Sequence, residues 1–203
     1  TIDYGTEATT YTNEGTNGNG AHNGNSVEVN QMQSVPEGTI RFIGANYNAD
    51  ESGTNTKFVI YSDSGGNPSQ LLAYTNEFNP TETDGWEDQP IAYAWDGSAY
   101  VASSTYETTG GTLWVGVWAD QDSGIKWTSS QSQKSMQNQS YSDTQPPTTF
   151  SVDASYTTEY SLRVIQGGSV TTTAIVAGGD FETGKLSNAL VDPTLTIESS
   201  VLP

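Results

Sequence analysis

The sequence predicts an all-β fold, an antiparallel β-sandwich with an extended N-terminal arm and a C-terminal β extension. Only 33% of the 203 residues are hydrophobic, and the abundant Thr, Tyr, Gly and Asn suit pleated surfaces and tight turns. Short apolar segments alternate with turn residues about every ten positions, as in sandwiches and barrels. No stretch of ten or more residues keeps a 3.6-residue apolar period, so we expect almost no helix.

Composition divides the chain into three parts. Residues 1–25 contain almost no large aliphatic side chain after Ile2, so burial cannot offset their ordering entropy and we expect a flexible or assembly arm. Residues 26–166 carry the β pattern and are expected to form the sandwich domain. Residues 167–203 are expected to add strands that pack on the sandwich or on a neighbouring subunit.

The predicted strands are short runs of apolar, β-branched and aromatic residues, bounded by residues that favour turns. In chain order these strands are Val27 to Val29, Ile40 to Phe42, Lys57 to Tyr61, Leu71 to Tyr74, Trp86 to Tyr93, Tyr100 to Val101, Thr112 to Trp118, Ile125 to Trp127, Phe150 to Val152, Tyr160 to Ile165, Val170 to Val176 and Leu195 to Val201. The clearest turn signals are Pro36 to Gly38, Ser62 to Pro68, Asp84-Gly85, Asp96-Gly97 and Asp120 to Gly124. Ser129 to Thr149 is polar and is expected to be a long loop, and Leu186 to Leu190 to form one helical turn.

The strongest predicted strand is Thr112 to Trp118. Its aliphatic side chains share one face and are Leu113, Val115 and Val117. Trp114 and Trp118 leave the opposite face, because side chains alternate along a strand. Since this segment is apolar on both faces, we interpret both tryptophans as core residues.

The net charge of −18, from 24 acids against 6 bases, makes nucleic acid or an anionic membrane surface an unsuitable partner. The acids are scattered, which is typical of solvated faces. The chain has no cysteine, which excludes thiol catalysis and cysteine-ligated metals.

Three blocks in the middle of the chain carry a resemblance to a known domain family. They are a strand ending at Tyr61 that continues as Ser-Asp-Ser-Gly-Gly-Asn-Pro-Ser-Gln-Leu-Leu72, the pair Gly85-Trp86, and Gly-Gly-Thr-Leu-Trp114-Val-Gly-Val-Trp118. Over about residues 40–166 the chain resembles a jelly-roll-like β-sandwich domain found in secreted bacterial proteins and in structural proteins of tailed phages. The resemblance implies an accessory or surface module, and it implies no catalytic residues.

The residues offer no clear catalytic set. The only histidine, His22, lies in the predicted arm, where it cannot be held rigidly between a carboxylate and a nucleophile. Glycoside hydrolysis needs two carboxylates across a cleft, and in so acidic a chain such pairs are expected by chance. The acids considered are Asp84, Glu87, Asp88, Asp96, Asp120 and Asp122.

Calcium is the cofactor that the sequence would suit best. Asp120 and Asp122 alternate before Gly124, as in a turn that ligates a cation through oxygen atoms. The full calcium-loop series is missing, with no closing glutamate. A solvated hairpin turn built on aspartate side chains is therefore the favoured interpretation of these residues.

Aromatic residues beside turns suggest a carbohydrate-binding platform. Trp86, Trp95 and Trp127 lie next to turn or polar residues, and Tyr93 precedes Trp95 by two positions. Exposed rings can stack on the apolar faces of sugars, and nearby amides and carboxylates can orient the hydroxyl groups. The alternative is that these rings fill the core of the sandwich.

The sequence favours a non-catalytic structural or surface protein, first of all a virion component of a tailed virus, such as a head decoration, fibre or tail appendage. It would work on a virion surface or otherwise outside a cell, with copies of itself and other virion proteins as partners. The alternative is a carbohydrate-binding module of a secreted enzyme or adhesin, with glycans as partners. A glycoside hydrolase is a third, less favoured interpretation.

Overall fold

The computed structural model describes residues 9–13, 17–48, 51–142 and 144–167. The strands are β1 (Thr9–Asn13), β2 (Asn17–His22), β3 (Ser26–Val35), β4 (Gly38–Tyr47), β5 (Thr56–Ser64), β6 (Asn67–Thr75), β7 (Gly85–Trp95), β8 (Tyr100–Ala102), β9 (Tyr106–Thr108), β10 (Gly111–Ala119), β11 (Ser123–Asn138), β12 (Ala154–Tyr160) and β13 (Leu162–Gln166). All pairings between these strands are antiparallel, and the described residues contain no helix. The predicted all-β fold is confirmed.

The strands form one hydrogen-bonded sheet in the order β1-β13-β4-β11-β3-β10-β5-β6-β7-β8, with β2 and β12 on β11 and β9 on β4. Two long strands change partners along their length. β7 pairs with β4 up to Pro90 and with β6 from Ile91. β11 pairs with β2 and β4 near Ile125 but with β3 from Lys134. Because strands that change partners turn corners, the sheet folds over itself, which is compatible with a β-sandwich.

The main core lies inside this fold. It joins strands that are not neighbours in the sheet, such as β10 through Val115 and β13 through Val164. Burying each large aliphatic side chain contributes about 1.5–3 kcal/mol, so this cluster is the main source of stability. Its buried members are Met32, Val35, Ile40, Ile43, Ala45, Tyr47, Phe58, Ile60, Ala73, Ile91, Ala94, Leu113, Val115, Val117, Ala119, Ile125, Tyr160, Leu162 and Val164.

A second core lies on the opposite face of β10. Trp114 and Trp118 are 0% and 1% exposed there, so the prediction that both are core residues is confirmed. The other buried members are Val27, Val29, Val59, Tyr61, Leu71, Tyr74 and Phe150. Residues 139–142 and 144–153, here called the cover segment, lie over this face and supply Phe150 and Tyr141 to it.

Hydrogen bonds to both strands and side chains attach the cover segment to the sheet. The Leu71 NH donates to the Thr148 carbonyl at 2.9 Å, and the Tyr61 hydroxyl donates to the Pro147 carbonyl at 2.9 Å. At the other end of the segment, the Trp118 indole NH donates to the Gln139 carbonyl at 3.1 Å. These bonds satisfy polar groups that would otherwise lie beneath the cover segment without a partner.

The structure corrects several predicted boundaries. The predicted loop from Ser129 is wrong as far as Asn138, because those residues continue β11 and pair with β3 and β12. Residues 150–152 are not a strand, and β12 begins at Ala154 instead. The sequence did not predict this part of β11 because it is polar. Pairing with neighbouring strands, rather than an apolar pattern of its own, holds it in place.

The remaining predictions about boundaries have other outcomes. The predicted turn at Ser62 to Pro68 is shorter, with only Gly65 and Gly66 between β5 and β6; both have positive φ, 64° and 82°, as a tight hairpin turn requires. The division into arm, sandwich and C-terminal extension stays a prediction. The predicted strands 170–176 and 195–201 and the helical turn 186–190 lie outside the described residues.

Gly116 of β10 allows the close approach of β3. A methyl group there would fall against the Glu28 carbonyl oxygen and 2.6 Å from Val29 Cα. We expect Gly116→Ala to lower the free energy of unfolding by about 2 kcal/mol or more, because overpacking forces backbone shifts. Chemical denaturation measures this loss. Gly53→Ala is the matched control, since nothing lies within 4 Å of its added methyl; equal losses in both variants would contradict the expectation.

Candidate functional site

Four aromatic side chains form a continuous row on the same face of the sheet as the second core. Tyr93 stacks on Tyr74 with ring centroids 4.8 Å apart and planes 15° from parallel. The Tyr74 ring lies 6.1 Å from that of Tyr100, which lies 5.1 Å from that of Trp95. These separations are typical of favourable stacked and edge contacts. We call these four residues the aromatic row.

Strand register brings the row together. Tyr74 of β6 lies opposite Tyr93 of β7, and Trp95 of β7 lies opposite Tyr100 of β8. Tyr93 and Trp95 are two positions apart on one strand, so their side chains leave the same face. The row is therefore fixed by three paired strands rather than by a loop.

The turn between β7 and β8 is held by Asp96. Its Oδ1 accepts hydrogen bonds from the NH groups of Ala99, at 2.9 Å, and Ser98, at 2.8 Å. These bonds stabilise the carboxylate and lower the pKa of Asp96. Gly97 supplies the left-handed residue of this turn, with φ of 103°. The turn fixes the register that places Tyr100 beside Trp95.

Two open depressions lie along the row, between the β6–β7–β8 part of the sheet and the cover segment. Their volumes are about 530 Å³ and 540 Å³, both within the usual range of small-molecule sites. The first is lined by Lys57, Tyr74, Thr75, Asn76, Glu77, Tyr93, Thr144 and Gln145. The second is lined by Ser69, Gln70, Trp95, Tyr100, Thr148 and Thr149. We call the two depressions and the row between them the aromatic groove.

The hydroxyls of Tyr74 and Tyr100 are neutral hydrogen-bonding groups. Burial raises the pKa of Tyr74 to about 12, and the neighbouring Tyr93 and Tyr100 hydroxyls add to the shift. Burial also raises the pKa of Tyr100, whose hydroxyl donates to the Leu71 carbonyl at 2.8 Å. These two hydroxyls therefore carry no charge at neutral pH.

The structure separates the four residues of the predicted carbohydrate platform. Tyr93 and Trp95 line the two depressions of the aromatic groove. Trp86 lies on the part of β7 that pairs with β4, where the Arg163 guanidinium stacks 4.3 Å from its ring centroid. Trp127 packs against the main core.

Tyr74 and Tyr100 are groove residues that the sequence pattern did not single out. Tyr74 ends an apolar segment, which is typical of a core residue, and in the structure it is only 6% exposed. Tyr100 lies on a strand of three residues. Their role depends on the pairing of β6, β7 and β8, and the turn signal at Asp96-Gly97 was the one clue to that pairing.

The candidate calcium ligands are engaged in hydrogen bonds between loops. Asp120 accepts bonds from the Asn55 NH at 2.9 Å and its side-chain amide at 2.7 Å. Asp122 accepts a bond from the Gly24 NH at 2.7 Å. Within the described residues, no group of three or more His, Asp and Glu side chains could hold a metal ion. These bonds account for the position of both carboxylates, and both interpretations of the segment, a solvated turn and a calcium site, stay predictions.

The remaining acids considered for hydrolysis also have local partners. Asp84 forms an ion pair with Lys126, and Asp88 binds Arg163 through two hydrogen bonds. Glu87 accepts a bond from the Gln89 amide at 2.8 Å. Among the described residues that line the aromatic groove, Glu77 is the one carboxylate.

A buried polar cluster lies away from the groove, where β2, β3, β11 and β12 meet. Glu28 Oε2 accepts bonds from the Tyr160 hydroxyl at 2.5 Å and from Lys134 Nζ at 2.9 Å. Lys134 Nζ also lies 4.6 and 4.5 Å from the ring centroids of Tyr156 and Tyr160. Such a network is costly to break because each member would be left buried without its partner.

His22 belongs to this cluster, which differs from its expected place in a flexible arm. It ends β2 and is fully buried. Its Nε2 lies 3.1 Å from the Ser26 carbonyl and 3.3 Å from the Val117 carbonyl. Since carbonyls only accept, Nε2 carries the hydrogen. Nδ1 has no hydrogen-bond partner among the described residues.

Burial decides the charge of His22. Loss of solvation lowers its pKa, and nearby Lys134 lowers it further, against opposing contributions from Glu28 and two carbonyls. For Glu28, burial alone would raise the pKa, but the positive charge of Lys134 and the hydrogen bonds from Tyr160 and Lys134 act in the opposite direction and hold the pKa below its ordinary value. The folded protein therefore keeps His22 neutral and Glu28 ionised.

Stability should fall on acidification from pH 7 to 5. As the pH falls through the ordinary histidine pKa of 6.5, the unfolded chain takes up a proton on His22 before the folded protein does, so the unfolded state binds more protons. The loss approaches about 1.4 kcal/mol per pH unit for one site. Below this window, protonation of Glu28 adds a further loss. Denaturation curves at a series of pH values measure both effects.

His22→Gln is the control for the acid effect, because its amide can still donate to a carbonyl but does not titrate. As His22 is the only histidine, this variant should have a nearly constant free energy of unfolding between pH 7 and 5. An unchanged pH dependence in the variant would contradict the assignment.

Comparison of the chain with models of protein families, with curated proteins and with solved structures finds no match. In the part of the chain that the structure describes, no helix is long and apolar enough to cross a membrane. The chemistry of the aromatic groove is therefore the basis for a functional assignment.

Proposed function

We propose that this protein is a non-catalytic surface module that binds carbohydrate in the aromatic groove. The observation that carries the proposal is the row of four rings flanked by two depressions lined with hydroxyl and amide side chains. Aromatic rings that offer apolar surface beside a few converging polar groups are a usual composition of a small-ligand site.

The aromatic rings and the polar side chains of the groove would make different contacts with the sugar. The apolar C–H face of a sugar stacks on the accessible surface of Tyr93 or Trp95, which releases water from both partners. The sugar hydroxyls then exchange hydrogen bonds with exposed groups such as Asn76 and Thr148. Since the paired strands hold the rings in place before binding, little ordering entropy opposes the association.

The acidic residues of the groove suit binding of a sugar chain without its cleavage. Most glycoside hydrolases place two carboxyl groups about 5–10 Å apart on either side of the bond that breaks. Glu77 is the one carboxylate among the described lining residues, and it accepts a hydrogen bond from the Tyr141 hydroxyl at 2.8 Å. We therefore assign the groove to recognition rather than to hydrolysis.

The setting that we propose is a surface outside a cell, first of all the virion of a tailed virus, as a head decoration, fibre or tail-appendage component. The alternative setting is a secreted enzyme or adhesin that carries the module. The resemblance of about residues 40–166 to jelly-roll-like sandwich domains of both kinds supports these settings, and the antiparallel folded sheet is compatible with them. Glycans on a cell surface or in a matrix would be the ligand in either setting.

Tyr93→Ala and Trp95→Ala test the groove. If it binds glycans, each variant should lose about tenfold in affinity, because truncating a central aromatic contact typically costs more than 1 kcal/mol. A glycan array identifies a ligand for the intact protein, and isothermal titration calorimetry measures its affinity for each variant. Trp86→Ala is the matched control, since it removes a ring from the same strand outside the groove. An array without binding would refute the proposal.

Light scattering tests the virion setting. Virion components act in multiple copies, so the protein should form oligomers at high concentration. Added salt should strengthen the association, because a net charge of −18 opposes it. A strict monomer at all salt concentrations would contradict the virion setting and favour a module of a larger secreted protein.

A further inference from the structure

The two depressions are parts of one elongated groove. Both are bounded on one side by the cover segment, through Gln145 in the first and Thr148 in the second. On the other side, Tyr93 and Trp95 lie two residues apart on β7, a separation of about 6.6 Å along a strand. Contacts between the four rings join the linings of the two depressions.

The described residues that line the groove offer no accessible positive charge. Lys57 is the only cation among the described lining residues and is 3% exposed. Its Nζ donates to the Ser142 and Thr144 carbonyls at 3.0 and 2.7 Å and lies 5.1 Å from the ring centroid of Tyr141. The ammonium group of Lys57 is therefore occupied by its contacts with the cover segment.

The exposed charge among the described residues that line the groove is negative. Glu77 is exposed at the rim of the first depression, and the whole chain carries a net charge of −18. A carboxylate, sulfate or phosphate on a ligand would meet repulsion and would lose its hydration without gaining a cationic partner. Neutral hydroxyls meet no such penalty, because Asn76, Gln145, Gln70 and Thr148 can both donate and accept hydrogen bonds.

We infer that the aromatic groove binds an uncharged sugar chain long enough to occupy both depressions, with Tyr93 and Trp95 stacking on different residues of that chain. The inference rests on the proposed carbohydrate-binding function and specifies its ligand. Uronate-rich, sulfated and phosphorylated polysaccharides are excluded as ligands of this groove. A monosaccharide, which is shorter than the separation of Tyr93 and Trp95 along β7, stacks on one ring at a time.

The first experiment compares charge classes. Affinity gel electrophoresis of the intact protein uses neutral polysaccharides (dextran, laminarin, xyloglucan and galactomannan) and anionic ones (alginate, polygalacturonate and dextran sulfate). We expect retardation by at least one neutral polymer and by none of the anionic ones at physiological salt. The affinity for the neutral polymer should change little between 50 and 500 mM salt, because uncharged partners are not screened.

The second experiment measures chain length with the polymer that binds. Calorimetry with its monosaccharide and with oligosaccharides of up to eight units should show affinity rising at least tenfold up to the length that covers both rings, and then no further. Tyr93→Ala and Trp95→Ala should each abolish that gain while leaving the affinity for the monosaccharide within about threefold in at least one of the two variants. Tyr93→Phe keeps the ring and should bind like the parent protein, which separates lost stacking from misfolding.

Different results overturn different conclusions. Retention by anionic polymers that Tyr93→Ala or Trp95→Ala abolishes would refute the neutral ligand while leaving carbohydrate binding in the groove intact. A monosaccharide that binds as tightly as the longest chain would refute the two-ended site. Failure to bind any polymer or array glycan would refute the proposed function and this inference together.

Discussion

The structure depends on β10 being apolar on both faces. A strand of this kind must be covered twice, because neither face can be left in water. The folded sheet covers one face with the main core. The other face presents Trp114 and Trp118, whose indole NH groups also need partners; Asp63 Oδ1, at 2.8 Å, and the Gln139 carbonyl, at 3.1 Å, accept their hydrogen bonds. The need to bury the second face of β10 therefore explains why the cover segment is required.

The cover segment explains why a groove exists beside the second core. It covers β10, β5 and part of β6 but leaves the β7–β8 end of the same face open, so the aromatic side chains there are only partly buried. Tyr74 lies at the boundary, packing into the second core while it stacks on Tyr93. The site is therefore an extension of the core to the surface, which gives it the rigidity of packed strands.

The sequence predicted the parts of this arrangement that depend on local pattern. The alternation of β10 identified both of its buried faces, and turn residues bounded most strands. The sequence could not predict β11 beyond Thr128, because that strand is polar and depends on its partners. It also could not join Tyr74 and Tyr100 to Tyr93 and Trp95, or bring His22 to Glu28, since both groupings depend on register between strands distant along the chain. For the same reason Trp86 and Trp127 were grouped with Tyr93 and Trp95 although they lie elsewhere.

The positions of the basic residues explain why the surface is acidic. Lys57 and Lys134 are buried within the fold, and Lys126 and Arg163 form ion pairs with acidic residues. Four of the six bases are thereby committed to contacts within the chain, while many acids remain exposed. A surface of this kind has little affinity for anions, but ring stacking and hydroxyl exchange do not depend on net charge. An acidic protein that still presents a row of aromatic rings is therefore suited to uncharged ligands, and the aromatic groove is the place in the described chain where such a ligand would find both stacking surfaces and hydrogen-bonding groups.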